Sequence, residues 1–131
     1  IRDSIGLTPQ SVHQLGGYRV QGKNSADAQR MLKDAAAVAE AGAGILLLEA
    51  IPALLAAEIT ASVAIPTIGI GAGAGCSGQV LVLDDMLGIY PGQPARFVKN
   101  YMQGAQGIAG AVASYVADVR AGIFPGKEHS F

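Results

Sequence analysis

The sequence predicts an α/β fold with a mostly parallel sheet, and three observations carry that prediction. Short apolar runs bounded by glycine or proline, Gly44–Glu49, Ile65–Ile70 and Gln79–Leu83, have the pattern of strands buried on both faces. Segments of helical periodicity lie between and after them. The connections are short, so consecutive strands run in the same direction with helices as crossovers.

Taken in order, the residues before Thr8 carry no assignable pattern. Thr8-Pro9-Gln10-Ser11 reads as an N-cap with proline at the first helical position, predicting a short helix over Pro9 to Gln14 that Gly16-Gly17 stops. Ser25 is a candidate cap for a longer helix whose inner stripe is Met31, Ala35, Val38 and Ala39 and which ends at Gly42. The first apolar run follows. Pro52 then opens a helix to about Ser62, and the second and third runs are strands. The apolar periodicity of Ile108, Val112, Tyr115, Val116 and Val119 marks a last helix ending at Gly122. Three strands are too few for a closed eightfold barrel of roughly 250 residues, and a parallel sheet with a bare edge invites aggregation. Something further is expected to complete the sheet.

Composition narrows the partner. The chain has 131 residues, half of them hydrophobic, enough for a sizeable core and one domain over 1–131. Nine basic and ten acidic residues leave a net charge of -1, which argues against nucleic acid or an anionic membrane as the main partner and for a small molecule. The single cysteine, Cys76, cannot form an internal disulfide, and no Cys/His cluster has zinc spacing, so a reducing, cytoplasmic compartment is expected. No basic segment followed by an apolar core opens the sequence. The uncharged runs Ile59–Leu83 and Asn100–Ala117 are interrupted by proline, glycines or polar residues and do not read as membrane spans.

Gly69-Ile70-Gly71-Ala72-Gly73-Ala74 fits the G-x-G-x-x-[GA] template of a dinucleotide turn. That turn needs a helix beginning at the glycines, because the helix N-terminus holds the pyrophosphate. Only five residues separate Gly73 from Gln79, two of them glycine, and Asp84 and Asp85 lie too close to serve as the ribose-binding acid. The glycines are better read as a loop at the C-terminal end of a strand. There they either let backbone approach a ligand or form a tight structural turn; glycine alone does not separate these.

Glu49 is the one ionisable residue between Ala41 and Ala57 and stands at the C-terminal end of a strand, where barrel enzymes place catalytic groups. A carboxylate beside Leu46, Leu47, Leu48 and Ile51 loses hydration, which raises its pKa and suits it to act as a general base. The alternative is a structural carboxylate paired with a Lys or Arg.

The stretches GLTPQSVHQLGGYRVQGK (Gly6–Lys23), AGAGILLLEAIPALLAAEIT (Ala41–Thr60), IPTIGIGAGAGCSGQVLVLDDMLG (Ile65–Gly88) and FPGKEHSF (Phe124–Phe131) resemble, in this order, the ketopantoate hydroxymethyltransferase family. The resemblance covers the C-terminal half of that family's chain, about strands five to eight of a (β/α)8 TIM barrel, with FPGKEHSF similar to the family's own ending. It implies transfer of a hydroxymethyl unit from 5,10-methylenetetrahydrofolate to 3-methyl-2-oxobutanoate, with Mg²⁺ chelating the keto acid and a glutamate removing the proton beside the ketone. Glu49 matches that glutamate in its LLE-x-[IV]-P context. The resemblance also implies a homo-oligomer, and it assigns the metal ligands to the half not matched here, so none is named.

Departures from the family accompany the matches. Just before IGLTPQ the family carries a histidine that reaches the substrate, and Ser4 stands there, unable to supply an imidazole proton. Two readings stay open: a real change at a substrate-binding position, or four opening residues foreign to the barrel. Ser77 replaces a frequent aspartate and Asp84 a frequent histidine. His13 reads as solvent-facing, His129 as part of a docking tail, and Cys76 as packing. Arg19 and Lys23 read as solvated, with contact to a carboxylate or to a folate glutamate tail as the alternative. A non-catalytic half-barrel interaction module is the competing function, and a nucleotide-binding domain a weaker one.

Overall fold

A computed structural model describes residues 2–8 and 19–131. The helix expected over Pro9–Gln14, its Gly16-Gly17 stop and His13 lie outside the described residues. Four strands, β1 (Arg2–Gly6), β2 (Ile45–Glu49), β3 (Thr67–Ile70) and β4 (Gly78–Gln79), form a parallel sheet in the order β1-β2-β3-β4. Helices α1 (Ser25–Glu40) and α2 (Ala53–Ser62) connect the first three strands, and α3 (Leu83–Met86) and α4 (Ile108–Arg120) follow. This is the α/β class with parallel βα units that the sequence predicts.

Each element has a local cause. Helix α1 is capped by Asn24 rather than by Ser25, its first residue: the Asn24 side-chain oxygen accepts from the Asp27 N–H at 2.8 Å, satisfying a donor the first turn leaves unpaired. It buries Met31 and Ala35, as its periodicity predicts, and Gly42 takes the left-handed φ of 91° that ends it. Strand β2 alternates, with Leu46 and Leu48 fully buried against the helices while Leu47 and Glu49 occupy the opposite face. The first core joins these leucines to Ile5, Met31, Ala35, Ile51, Leu55 and Ile59.

Two expectations need correction. Arg2–Gly6, which carries no apolar alternation, is a strand because its backbone pairs residue by residue with β2, from Arg2 with Ile45 to Gly6 with Glu49. The third apolar run is a strand only at Gly78–Gln79, with one further bond from the Val80 N–H to the Gly69 carbonyl. Strand β3 ends at Ile70, so Val82 and Leu83 have no strand to pair with; they are exposed, and Leu83 opens α3. Helix α4 lies where its periodicity predicts, and its apolar residues divide between inside and outside. Ala111 is buried and Tyr115 and Val119 pack inward, whereas Ile108 is 60% exposed and Val112 and Val116 are both 37% exposed.

Asp118 belongs to the inward side, where its carboxylate accepts from Lys99 Nζ at 2.7 Å and from the Tyr101 hydroxyl at 2.9 Å. Periodicity of apolar letters does not find such a residue. Around it Tyr101, Tyr115 and Phe124 meet edge to face at 5.6–5.9 Å, forming with Ile70, Leu81, Met86 and Leu87 a second core.

Candidate functional site

Glu49 is the last residue of β2, and its backbone is pinned from three directions. The Leu7 N–H donates to the Glu49 carbonyl at 2.9 Å, the Ala50 N–H donates to the Ile70 carbonyl at 2.9 Å, and the Gln21 N–H donates to the Ala50 carbonyl at 3.0 Å. Ala50 is buried with φ of 49°, a left-handed conformation that costs a non-glycine residue about 1–2 kcal/mol and persists where its surroundings over-determine it. Gly6 beside it has φ of 96°, and a side chain there would run into the Glu49 carbonyl oxygen and Ile51. The strand exit that aims Glu49 is thus rigid.

The Glu49 side chain is half-buried and opens on a cavity of about 590 Å³. Burial raises its pKa above the ordinary glutamate value. Among the described residues its carboxylate has no side-chain hydrogen bond and no ion pair, so the structural reading as a Lys or Arg partner has no support there. The cavity also holds Arg19 and Arg96, the carboxylate of Asp85, and an aromatic side of Tyr90, Phe97 and Phe131. A small acid with one polar end and one apolar end fits such a lining.

Ser4 lies in the middle of β1, in register with Leu47 and hence on the same face of the sheet as Glu49. It is half-buried, its N–H donates to the Asp3 carboxylate at 2.8 Å, and it is not among the residues lining the cavity. Lys23 is exposed and also lies outside the lining, whereas Arg19 is part of it. Of the residues singled out in the sequence, the cavity therefore gathers Glu49 and Arg19. Tyr90, Arg96 and Phe97 are additions that no motif marks, whereas Asp85 and Phe131 fall inside family-like stretches without a role assigned to them there. Arg96 and Phe97 sit in an irregular Pro- and Gly-rich segment, and Phe131 reaches the site from the end of the chain.

The glycine loop is resolved by what stands beside each missing side chain. A Cβ on Gly71 would come within 2.7 Å of the Phe97 ring, one on Gly75 within 2.8 Å of Ala57, and one on Gly69 within 2.8 Å of Cys76, while Gly73 meets Ala53. The space is filled by protein, and no helix starts there. It is a tight structural turn that packs on α2 and lets Phe97 reach the cavity wall. Ser77 ties this loop to β3: its hydroxyl accepts from the Thr67 N–H at 3.1 Å, and its own N–H donates to the Thr67 hydroxyl at 3.2 Å. Cys76 is half-buried against the first core, which raises its pKa. The tail containing His129 docks, with the Ala53 N–H donating to the Phe131 carbonyl at 2.9 Å at the start of α2.

Among the described residues a smaller cavity of about 270 Å³ is lined by Lys99, Tyr101 and Asp118, whose side chains bond to one another. Among the described residues no three His, Cys, Asp or Glu side chains gather into a metal-holding group, and no helix is long and apolar enough to cross a membrane.

The pattern of the ketopantoate hydroxymethyltransferase family matches residues 3–127. Proteins named 3-methyl-2-oxobutanoate hydroxymethyltransferase from Burkholderia mallei (strain SAVP1), Burkholderia pseudomallei (strain 668) and Burkholderia thailandensis are each 62% identical over 127 residues, covering 97% of this chain and 47% of theirs. The chain spans about half the length of the curated relatives it matches. With nearly all of its residues inside the match, strands and strand-end glutamate included, the chain belongs to the ketopantoate hydroxymethyltransferase family.

Proposed function

We propose that this chain carries the base-bearing part of a 3-methyl-2-oxobutanoate hydroxymethyltransferase. The reaction moves a one-carbon unit from 5,10-methylenetetrahydrofolate to 3-methyl-2-oxobutanoate, giving 2-dehydropantoate for pantothenate synthesis. The observation that carries the proposal is Glu49: a half-buried carboxylate with a raised pKa, unpaired among the described residues, held at a strand end over a cavity of about 590 Å³. Its carboxylate takes the proton from C3 of the keto acid, and the electron pair of that C–H bond becomes the enolate. The enolate carbon and the oxygen of a water both bond to the one-carbon unit as its two bonds to folate nitrogens break; the proton taken by Glu49 and one proton of the water end on those two nitrogens. The pinned backbone at Leu7, Ala50 and Gln21 keeps the base in place, and Phe97 and Phe131 limit water around it.

Mg²⁺ is the cation the resemblance implies, and the described residues do not supply a ligand group that fits it. Ser4 enters the proposal as a position facing the substrate side of the sheet, and the reducing cytoplasm as the compartment for a chain with one free thiol. A second reading, a surface for association with further copies, is favoured by the exposed row Ile108, Val112 and Val116 on α4.

The test is exchange of the C3 proton of 3-methyl-2-oxobutanoate for deuterium, followed by NMR with Mg²⁺ present and no folate, on the chain at the length its gene encodes. Glu49→Gln keeps the shape and removes the basic oxygen, so exchange should fall by about 10² to 10⁴ with little change in keto-acid binding. Unchanged exchange would leave Glu49 a structural carboxylate. Ser4→His should raise the rate if that position meets the substrate.

A further inference from the structure

Arg96 stands in the Glu49 cavity with an arrangement the proton-transfer chemistry does not use. Its Nε donates to the Glu128 carbonyl at 3.1 Å, and its guanidinium carbon lies 5.5 Å from the centre of the Phe131 ring. Phe131 is itself fixed, by the bond from the Ala53 N–H to its carbonyl and by an edge contact with Phe97 at 6.4 Å between ring centres. The guanidinium is therefore held through Nε and its stacking face, a pre-organised position for an otherwise flexible side chain.

What remains is the end of the fork. Both Nη groups are without a hydrogen-bond or ion-pair partner among the described residues, although Glu49 and Asp85 line the same cavity. Two parallel N–H donors in a plane match the two oxygens of a carboxylate. Beside them Tyr90, Phe97 and Phe131 offer faces and edges for an aromatic ring, and the cavity is larger than a branched five-carbon acid fills. A cation at one place and an unpaired base at another require an anionic ligand whose charge sits away from the carbon that loses its proton.

We propose that Arg96 is a carboxylate-binding residue of this cavity, gripping its ligand with the two Nη groups while Glu128 and Phe131 hold the guanidinium. The assignment rests on the functional reading above. The carboxylate belongs either to the keto acid or to the glutamyl end of the folate, and the aromatic side of the cavity gives the second a natural seat.

Calorimetric titration of the chain at its encoded length, with 3-methyl-2-oxobutanoate and separately with 4-aminobenzoyl-glutamate, tests the proposal. Arg96→Gln should weaken one of the two acids by about tenfold or more, the usual loss of a charge-assisted hydrogen bond, and the acid affected identifies the source of the carboxylate. Arg96→Lys should fall between, because it keeps the charge and loses the fork; it also serves if the glutamine variant does not fold. Arg30→Gln removes a charge from the far surface of α1, where Arg30 pairs with Asp27 at 3.0 Å, and should leave both affinities unchanged. Affinities within twofold of the parent for both acids in the Arg96 variants, or no saturable binding of either acid to the parent, overturn the proposal. Loss of proton exchange in Glu49→Gln alongside unchanged affinities in Arg96→Gln would sink this inference alone. Normal exchange in Glu49→Gln with weakened binding in Arg96→Gln would sink the base and keep the carboxylate grip.

Discussion

Between β1 and β3 the chain buries Leu46, Leu48, Ile51 and Ile59 completely, using strand alternation and two helices from the same continuous stretch. From Leu81 onward there is no strand, and the buried side chains are Leu81, Met86, Leu87, Tyr101, Ala111 and Phe124, with Tyr101 and Phe124 edge to face and the Asp118 carboxylate accepting from Lys99 and Tyr101. The first region is aliphatic and laddered; the second adds an aromatic cluster, and its polar ties join residues 17 and 19 positions apart. This contrast explains where the site forms. Glu49 comes from the laddered region, which supplies a rigid strand end, while Arg96, Phe97 and Phe131 come from the region beyond the sheet, which supplies the cavity wall.

Leu47 and Ile70 join the two regions, since both strand residues pack in the second core. Phe124→Ala should therefore destabilise the whole chain by about 3–5 kcal/mol and Leu48→Ala by about 2–5 kcal/mol. In urea unfolding, the far-ultraviolet backbone signal and the near-ultraviolet tyrosine signal should move together in both variants. Separation of the two signals in Phe124→Ala would show that the laddered region stands without the aromatic one.

Tyr101→Phe probes the same contrast at smaller scale. It removes one donor to Asp118 and keeps the ring contacts, so it should cost about 1 kcal/mol. The Lys99 and Tyr101 hydrogen bonds hold the Asp118 carboxyl below its ordinary pKa, in that order of importance. A lowered folded-state pKa contributes stability above the unfolded value, and that contribution is lost as pH falls through the folded value. The cost of Tyr101→Phe should accordingly shrink in acid. A cost independent of pH would show that the aromatic packing, not the carboxylate, holds this region.

Glu49 provides the smallest stability effect and the opposite sign. Burial raises its pKa, so its contribution is full below the unfolded value and is lost as pH rises through the folded value. Glu49→Gln should match the parent in acid and melt slightly higher at neutral pH, while proton exchange in the parent should rise with pH on a limb above the ordinary glutamate value. Identical melting of the two at every pH would mean the carboxylate is fully hydrated.

Much of the laddered region is legible in the amino-acid sequence. The buried positions of α1, the strands at Ile45–Glu49 and Thr67–Ile70, and the absence of a helix after the glycines follow from periods and turn chemistry within a few residues. The glycines themselves leave two readings open, and the side chains of Phe97, Ala53, Ala57 and Cys76 decide for packing. Apolar periodicity puts the C-terminal helix at the right place in the chain but does not find Asp118 on its inward side, which is charged and finds its partners far away in sequence.

The order of parallel βα units and the solitary position of Glu49 at a strand end are written in the sequence, since both depend on the pattern of neighbouring residues. Only the folded chain decides that Arg2–Gly6 is a strand, that the run after Gln79 stops being one, and that Arg96 and Phe131 stand in the same cavity as Glu49. Those outcomes depend on pairing partners and packing surfaces supplied by distant segments, and a backbone hydrogen bond or a stacked ring leaves no periodic mark on the residues that make it.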